Sequence, residues 1–314
     1  MTKTCQRKHC YAPDNSCLMG EDDYRLCKYW AQGENQVEDG KTQDGGSILL
    51  PWSGGAFGVA DLSYLASQTH PRVVALIGPL NSGKTTLLAT MFLLLLRGKM
   101  PPGFGLARSL TLGGWETVAH WMKWKSGQGP QFPEHTTSRE QRVPGLLHVG
   151  MRDDSGGLTD LAVSDAPGEW FRRWAVDETA ADAAGARWLA ANADAFVLVV
   201  DSEALSGEDR GPAQVTYELL AERIASHVNY RPVRIVWTKS DITITTQMVS
   251  RMNDRFSAVF GSCETSHITV NKLGDLPHEQ DAFLNLLGWM LTASTEAKPN
   301  VPAPVSADYF LAFR

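Results

Sequence analysis

One eight-residue segment of the chain has residue types and spacing that suit phosphate binding. Residues 78–85 read GPLNSGKT, which fits the pattern GxxxxGK[ST]. Gly78 and Gly83 allow a tight turn, so that successive backbone N–H groups from Asn81 to Thr85 can face phosphate oxygens. We expect Lys84 to reach the β- and γ-phosphates and the Thr85 hydroxyl to bind Mg²⁺. The alternative is an accidental Gly-rich turn.

A second motif, DAPG at residues 165–168, directly follows a predicted strand. An Asp at a strand end facing the phosphate loop can hold Mg²⁺ through water. Three residues later, Gly168 can present its N–H group to a γ-phosphate. The pattern DxxG is common by chance, so the evidence for a role in Mg²⁺ binding is its position directly after a predicted strand. A plain surface turn is the alternative.

A threonine from a loop should complete the Mg²⁺ and γ-phosphate site. Thr136 and Thr137 stand in the segment EHTTSRE, ten residues before a predicted strand at Leu146. We favour Thr137 for this role. A pair of threonines in an ordinary polar loop is the competing interpretation.

The segment TKSD at residues 238–241 has the residue types that read a guanine base. The Asp241 carboxylate can accept two N–H bonds from the guanine edge, whereas adenine offers no such donor pair. The aliphatic stem of Lys239 can lie over the ring plane. In the following loop, the backbone N–H of Asn271 is our candidate for the guanine carbonyl.

These motifs together define a predicted site for GTP or GDP with Mg²⁺. The catalytic residues predicted from these motifs are Lys84 and Thr137, and the predicted Mg²⁺ ligands are Thr85, Thr137 and Asp165. The predicted nucleotide-binding residues are Gly78, Asn81, Ser82, Gly83, Lys84, Thr85, Thr86, Asp165, Gly168, Thr238, Lys239, Asp241 and Asn271.

The motifs lie between alternating strand and helix patterns. Predicted strands are 72–77, 146–152, 158–164, 195–200, 233–237 and 267–270, and predicted helices are 84–97, 214–227, 248–260 and 279–292. Residues 146–164 form a hairpin around the turn DSGG. The pattern predicts an α/β fold with a mostly parallel sheet, one antiparallel edge strand and helices on both faces.

Composition narrows the class of protein. The chain has 314 residues, of which 43% are hydrophobic, so it can form a full core. Its net charge of −6 argues against nucleic acid or an anionic membrane as the main partner. The longest apolar run, 87–96, is half a membrane span and favours a buried helix. With its polar beginning, we expect the chain to be cytoplasmic.

Four of the five cysteines, Cys5, Cys10, Cys17 and Cys27, stand before residue 30. Four thiolates can hold one Zn²⁺, although the spacing is not that of paired CxxC motifs. Unligated cysteines or a redox pair are the alternatives. We therefore divide the chain into a zinc-binding unit (1–30), a Gly-rich linker (31–47), a nucleotide-binding domain (48–294) and a Pro-rich linker with an aromatic tail (295–314).

The three nucleotide motifs together resemble those of the TRAFAC class of GTPases, which implies a Ras-like P-loop fold over residues 72–292. The Cys-bearing start, the sequence LPWSG at 50–54, DAPGE and TKSD further resemble the bacterial double-GTPase family. That resemblance implies action beside a second GTPase in signalling or conflict systems. Thr238 replaces the usual Asn, a change that could loosen the grip on the phosphate loop, and Leu80 stands where many relatives have Gly. Glu169 replaces the usual water-positioning Gln, and the resemblance implies that it is the third catalytic residue.

The expected function is a GTP-controlled switch with slow Mg²⁺-dependent hydrolysis and a protein partner. The alternatives are a GTP-locked scaffold with negligible turnover and an ATP-using P-loop enzyme. TKSD argues against the ATP enzyme, as does the strand end Asp201-Ser202, which lacks an Asp-Glu pair. Trp170, Phe171 and Trp174 follow DAPGE and serve either as core or as a partner surface.

Overall fold

The structure is a computed structural model that describes residues 27, 30, 55–59, 61–66, 69–123, 145–270 and 277–293. The chain divides into two units, Met1–Leu50 and Pro51–Arg314. Every helix and strand reported below belongs to the second unit. None of the helices within the described ranges is long and apolar enough to cross a membrane.

Strands and helices alternate along the chain. The strands are β1 (Arg72–Ile77), β2 (Phe104–Arg108), β3 (Gly145–Asp153), β4 (Leu158–Asp165), β5 (Ala195–Asp201), β6 (Val233–Thr238) and β7 (Glu264–His267). The helices are α1 (Leu62–Ala66), α2 (Lys84–Leu96), α3 (Leu112–Ala119), α4 (Gly168–Val176), α5 (Ala184–Asn192), α6 (Ser202–Ser206), α7 (Arg210–Val228), α8 (Thr246–Phe260) and α9 (Pro277–Thr292). Short 3₁₀ turns at His120–Met122 and Ala181–Ala183 extend α3 and precede α5.

The strands form one seven-stranded sheet in the order β2-β3-β4-β1-β5-β6-β7. The pairs from β4 to β7 are parallel, whereas β3 is antiparallel to both β4 and β2. The predicted α/β fold is confirmed, including its mostly parallel sheet and antiparallel edge. The edge contains one strand more than the sequence predicts, because β2 lies beyond the hairpin.

Helices cover both faces of the sheet, and this explains the continuous apolar runs of the central strands. Alternate residues of β1 contribute to two separate cores. Val73, Ala75 and Ile77 pack with residues of α4, α5, α7 and α8, whereas Val74 and Leu76 pack with residues of α2, α3 and α9. All seven residues of β5, which lies between β1 and β6 in the interior of the sheet, are buried.

The edge strands differ most from prediction. β7 occupies 264–267 rather than 267–270, and it pairs with residues 234–237 of β6. Its sequence ETSH is polar and mostly exposed, so the apolar residues that follow it gave the stronger strand signal. β2, with the sequence FGLAR, is mostly exposed and likewise gives no clear pattern. The shift of β7 places residues 268–270 in the loop beside the predicted base site.

Candidate nucleotide-binding site

The predicted phosphate loop connects β1 directly to α2, as the motif requires. The loop bends through Asn81 and Gly83, which have positive φ angles of 64° and 88°. Gly78 lies so close to its surroundings that an added Cβ would stand 2.6 Å from Ser82 Oγ and 2.8 Å from the Val199 carbonyl oxygen. Glycine is therefore needed at 78 for packing and favoured at 83 for conformation.

Lys84 lies at the first turn of α2 with only 6% of its surface exposed. Its Nζ donates hydrogen bonds of 2.9 Å to the carbonyl oxygens of Gly78 and Pro79. Burial lowers the pKa of Lys84 to about 8, although the nearby carboxylates of Asp165 and Glu169 favour the charged form. The ammonium group is thus held under the loop that would surround the phosphates.

Two of the three predicted Mg²⁺ ligands meet in the structure. Asp165 ends β4, Thr85 follows Lys84 in α2, and the Thr85 hydroxyl lies 3.1 Å from Asp165 Oδ1. A hydroxyl and a carboxylate oxygen side by side are the donor types that Mg²⁺ prefers. These residues therefore fit a magnesium ion held at the phosphate end of the site.

Gly168 begins α4 in direct contact with the phosphate loop. A Cβ at this position would lie 2.2 Å from the Leu80 backbone nitrogen and 2.4 Å from the Pro79 carbonyl carbon. Glu169 follows it as an exposed residue of the first helical turn. The start of α4 can therefore sense what lies in the loop, and only glycine permits this approach.

Thr238 connects the TKSD segment to the phosphate loop. Its hydroxyl is 2.8 Å from the Ser82 carbonyl oxygen and 3.1 Å from the Val200 carbonyl oxygen. The residue is buried at the end of β6. From the sequence, Thr in place of the usual Asn could loosen the contact between the TKSD segment and the phosphate loop. The structure shows that the Thr238 hydroxyl does contact this loop.

Asp241 is exposed and lies beside the loop that follows β7. The Thr269 hydroxyl donates a 2.6 Å hydrogen bond to Asp241 Oδ1. Sequence reasoning missed Thr269, because it assigned residues 267–270 to a strand. The sequence feature that could have identified Thr269 is a hydroxyl-bearing side chain two positions before Asn271, in the loop that faces TKSD.

One cavity of about 430 Å³ joins the phosphate and base ends. All three predicted motifs contribute to its walls, together with apolar residues from the β7–α9 region. The lining residues are Leu80, Asn81, Ser82, Gly83, Lys84, Thr85, Thr86, Leu87, Ala166, Gly168, Glu203, Thr238, Lys239, Asp241, Ile242, Ile268, Thr269, Val270 and Phe283.

Several predicted residues lie outside the described residues, namely Cys5, Cys10, Cys17, Thr137 and Asn271. Cys27 is buried and forms no disulfide, and its carbonyl oxygen accepts a hydrogen bond from the Trp30 N–H. Within the described ranges, no group of three or more His, Cys, Asp or Glu side chains is arranged to hold a metal ion. The zinc site stays a prediction.

Comparison with known proteins identifies the family of this chain. No curated protein matches the chain significantly. A solved structure described as a mutation variant of SsGBP is similar over 74% of this chain, with 12% identity and a TM-score of 0.37. This chain covers 60% of the length of that structure. The family model for Double-GTPase 2 matches residues 72–290 of the 314. The chain therefore belongs to the Double-GTPase 2 family.

Proposed function

We propose that this protein is a guanine-nucleotide switch that binds GTP with Mg²⁺ and hydrolyses it slowly. One observation carries the proposal: a single cavity is lined by the phosphate loop and by the TKSD segment. The hydrogen bond from Thr238 to the Ser82 carbonyl fixes the distance between these two regions. A nucleotide can then bind with its phosphates at one end and its base at the other.

Guanine preference follows from the groups at the base end. The Asp241 carboxylate lies beside Thr269, and the Thr269 hydroxyl donates a hydrogen bond to Asp241 Oδ1. A carboxylate has the acceptor capacity for the adjacent N–H donors of guanine. Adenine would leave part of that capacity unsatisfied, which costs binding free energy.

At the phosphate end, Lys84, Thr85 and Asp165 would hold the triphosphate and its metal ion. Magnesium bound there would neutralise charge on the β- and γ-phosphates. Lys84 provides a second cation, and the N-terminus of α2 adds its positive end. We propose that Thr137 completes the metal shell and that the Gly168 N–H meets the γ-phosphate.

We infer slow turnover from two residues near the γ-phosphate end. Glu169 stands where a water-positioning Gln is usual, and as an anion it opposes the negative charge that develops in the transition state. Leu80 is 45% exposed at the cavity wall, where it narrows access for water or an external arginine. The expected rate is that of unassisted GTPases, about 10⁻⁴ to 10⁻² per second.

The contact between α4 and the phosphate loop supports a switch role. Gly168 touches Leu80, while Trp170, Phe171 and Trp174 of the same helix are buried in the core. A change at the γ-phosphate would have to move α4 together with that packed face. We propose that a second GTPase, or a second copy of this chain, reads the change and supplies the missing catalytic group.

A GTP-locked scaffold is the second candidate, and the same Leu80 and Glu169 favour it. Single-turnover hydrolysis separates the two functions. We expect slow but measurable phosphate release from the wild-type protein, and faster release from Glu169→Gln. Turnover that rises with protein concentration would indicate assistance by a second copy. Release faster than about one per second at high dilution would show that the chain needs no partner.

Nucleotide competition tests the binding proposal itself. A fluorescent GDP analogue bound to the protein should be displaced by GTP and GDP at much lower concentrations than by ATP. Chelation of Mg²⁺ should lower the affinity for GTP more than the affinity for GDP. Displacement by ATP as effective as by GTP would contradict the proposed role of TKSD.

We also propose that Cys5, Cys10, Cys17 and Cys27 bind one structural Zn²⁺. A segment of 30 residues is too short to form a stable core alone, and a metal would stabilise it. Elemental analysis of untagged protein, prepared without chelators, should find one zinc per chain. A folded, zinc-free protein would contradict this proposal.

A further inference from the structure

Lys239 is paired with two carboxylates that lie outside the TKSD segment. Its Nζ is 2.8 Å from Asp201 Oδ2 and 2.8 Å from Glu203 Oε2. Burial lowers the pKa of Lys239, but the hydrogen bonds to Asp201 and Glu203 outweigh it and raise the pKa above its ordinary value. The ammonium group is therefore charged and held at a defined point beside the cavity.

Asp201 is itself fixed on several sides. It ends β5 opposite Thr238 of β6, and its side chain is 7% exposed. Its second carboxylate oxygen accepts the Glu203 N–H at 2.9 Å at the start of α6, and its own N–H donates to the Tyr217 hydroxyl at 2.8 Å. Asp201 is thus a rigid anion placed next to the base loop.

The backbone of Lys239 is constrained as well. Its φ of 52° lies in the left-handed region, which residues other than glycine adopt infrequently. The neighbouring Thr238 is held by the β6 register and by its bond to Ser82. Both ends of the lysine side chain are therefore restrained, and Lys239 is one of the residues that line the cavity.

We propose that Asp201 is a positioning residue that holds the stem of Lys239 against the base of a bound nucleotide. The inference rests on the proposed function, because it assigns the base to this end of the cavity. A free lysine would lose rotamer entropy when it packs on a purine ring. Because Asp201 already holds the ammonium group in the free protein, Lys239 loses less rotamer entropy when a nucleotide binds. The same contact keeps the ammonium group away from the ring.

Glu203 is the weaker partner. It lines the cavity, but its side chain is 63% exposed, so water screens its attraction for Lys239. The two carboxylates should therefore differ in effect. Loss of the buried charge should alter nucleotide binding, whereas loss of the exposed one should change it little.

The decisive variant is Asp201→Asn, which keeps the shape and leaves an amide oxygen to accept the Glu203 N–H. Affinities for GTP, GDP and inorganic tripolyphosphate are measured by displacement of a fluorescent GDP analogue. We expect GTP and GDP to bind about tenfold more weakly and tripolyphosphate to bind as in wild type. Glu203→Gln should weaken GTP by no more than about threefold. Asp209→Asn, an exposed carboxylate on the next loop, is the control without an effect.

Unchanged GTP affinity in Asp201→Asn would overturn the inference, as would an equal loss for GTP and tripolyphosphate. If Asp201→Asn does not fold, Asp201→Asn combined with Lys239→Met removes both charges of the ion pair. The double variant should show the same selective loss of GTP, and wild-type affinity in it would contradict the inference. Failure of the wild-type protein to bind GTP would instead refute the proposed function.

Discussion

The two ends of the cavity are built in different ways. At the phosphate end, Ser82 and Lys84 are buried, and the loop shape is set by glycines and by hydrogen bonds within six residues of sequence. At the base end, Asp241 is exposed, and its hydrogen-bond partner Thr269 comes from a loop 28 residues away. The phosphate loop is therefore formed by one short segment, whereas the base end is assembled from segments that are distant in sequence.

This difference teaches where binding and selectivity originate. Backbone N–H groups and one buried lysine can hold any triphosphate, so the phosphate end should supply most of the affinity. The base end must distinguish between bases with a few side chains whose positions depend on two loops. We therefore expect variants of the first end to affect all nucleotides and variants of the second to change selectivity. Four predictions test this, from the largest effect to the smallest.

Lys84→Ala should remove nucleotide binding of every kind. The ammonium group lies under the loop, and its loss leaves the β- and γ-phosphates without a fixed cation. We expect GTP, GDP and tripolyphosphate to weaken by at least about 100-fold, or ~2.7 kcal/mol. Isothermal calorimetry measures this, with the exposed Lys99→Ala as a control of equal charge. If Lys84→Ala bound GTP with an affinity within tenfold of wild type, the phosphate end would not supply most of the affinity.

Asp241→Asn should exchange one base for another rather than abolish binding. The amide presents a donor that opposes guanine N–H groups and suits the xanthine carbonyl. We expect GTP to weaken by about 100-fold and xanthosine triphosphate to gain in proportion, while tripolyphosphate is unaffected. Competition assays decide it, with the exposed Asp254→Asn on α8 as control. An equal loss of affinity for all three ligands would show that the two ends of the cavity do not have separate roles.

Thr85→Ala should affect triphosphate binding only when Mg²⁺ is present. The Thr85 hydroxyl lies 3.1 Å from Asp165 Oδ1, and its removal takes away one oxygen of the proposed metal site. We expect about a tenfold loss for GTP in Mg²⁺ and no difference from wild type in excess chelator. Thr117→Ala on the exposed side of α3 is the matched control. A loss that persists in chelator would argue against a metal role.

Thr238→Val should show the smallest effect, at the link between the two ends. Valine keeps the volume of threonine but cannot donate to the Ser82 carbonyl oxygen. A single buried hydrogen bond contributes about 1 kcal/mol, so we expect the free energy of unfolding and the affinity for GTP to fall by roughly that amount. Urea denaturation and GTP binding measure the two effects. Equal stability and affinity in the variant would show that the link is not needed.

Much of the site was predictable because its motifs are local and their elements are regular. GPLNSGKT, DAPG and TKSD each follow a strand of a parallel sheet, and parallel strands end at the same edge. The register confirms this placement, with Ile77 of β1 opposite Leu198 of β5 and Asp201 opposite Thr238. The α/β fold and the Double-GTPase family membership were predicted from the same patterns.

Only the tertiary structure decided how distant side chains meet. The Thr238 bond to Ser82 spans 156 residues, the Lys239 pair with Asp201 spans 38, and Thr269 meets Asp241 across 28. Such contacts depend on strand register and loop path, which hydropathy does not encode for polar edge strands such as β7. The sequence by itself determined the fold class and the phosphate loop, because periodicity and glycine geometry are properties of short segments. The contact between Asp241 and Thr269 at the base end, which joins the loops after β6 and β7, required the folded chain.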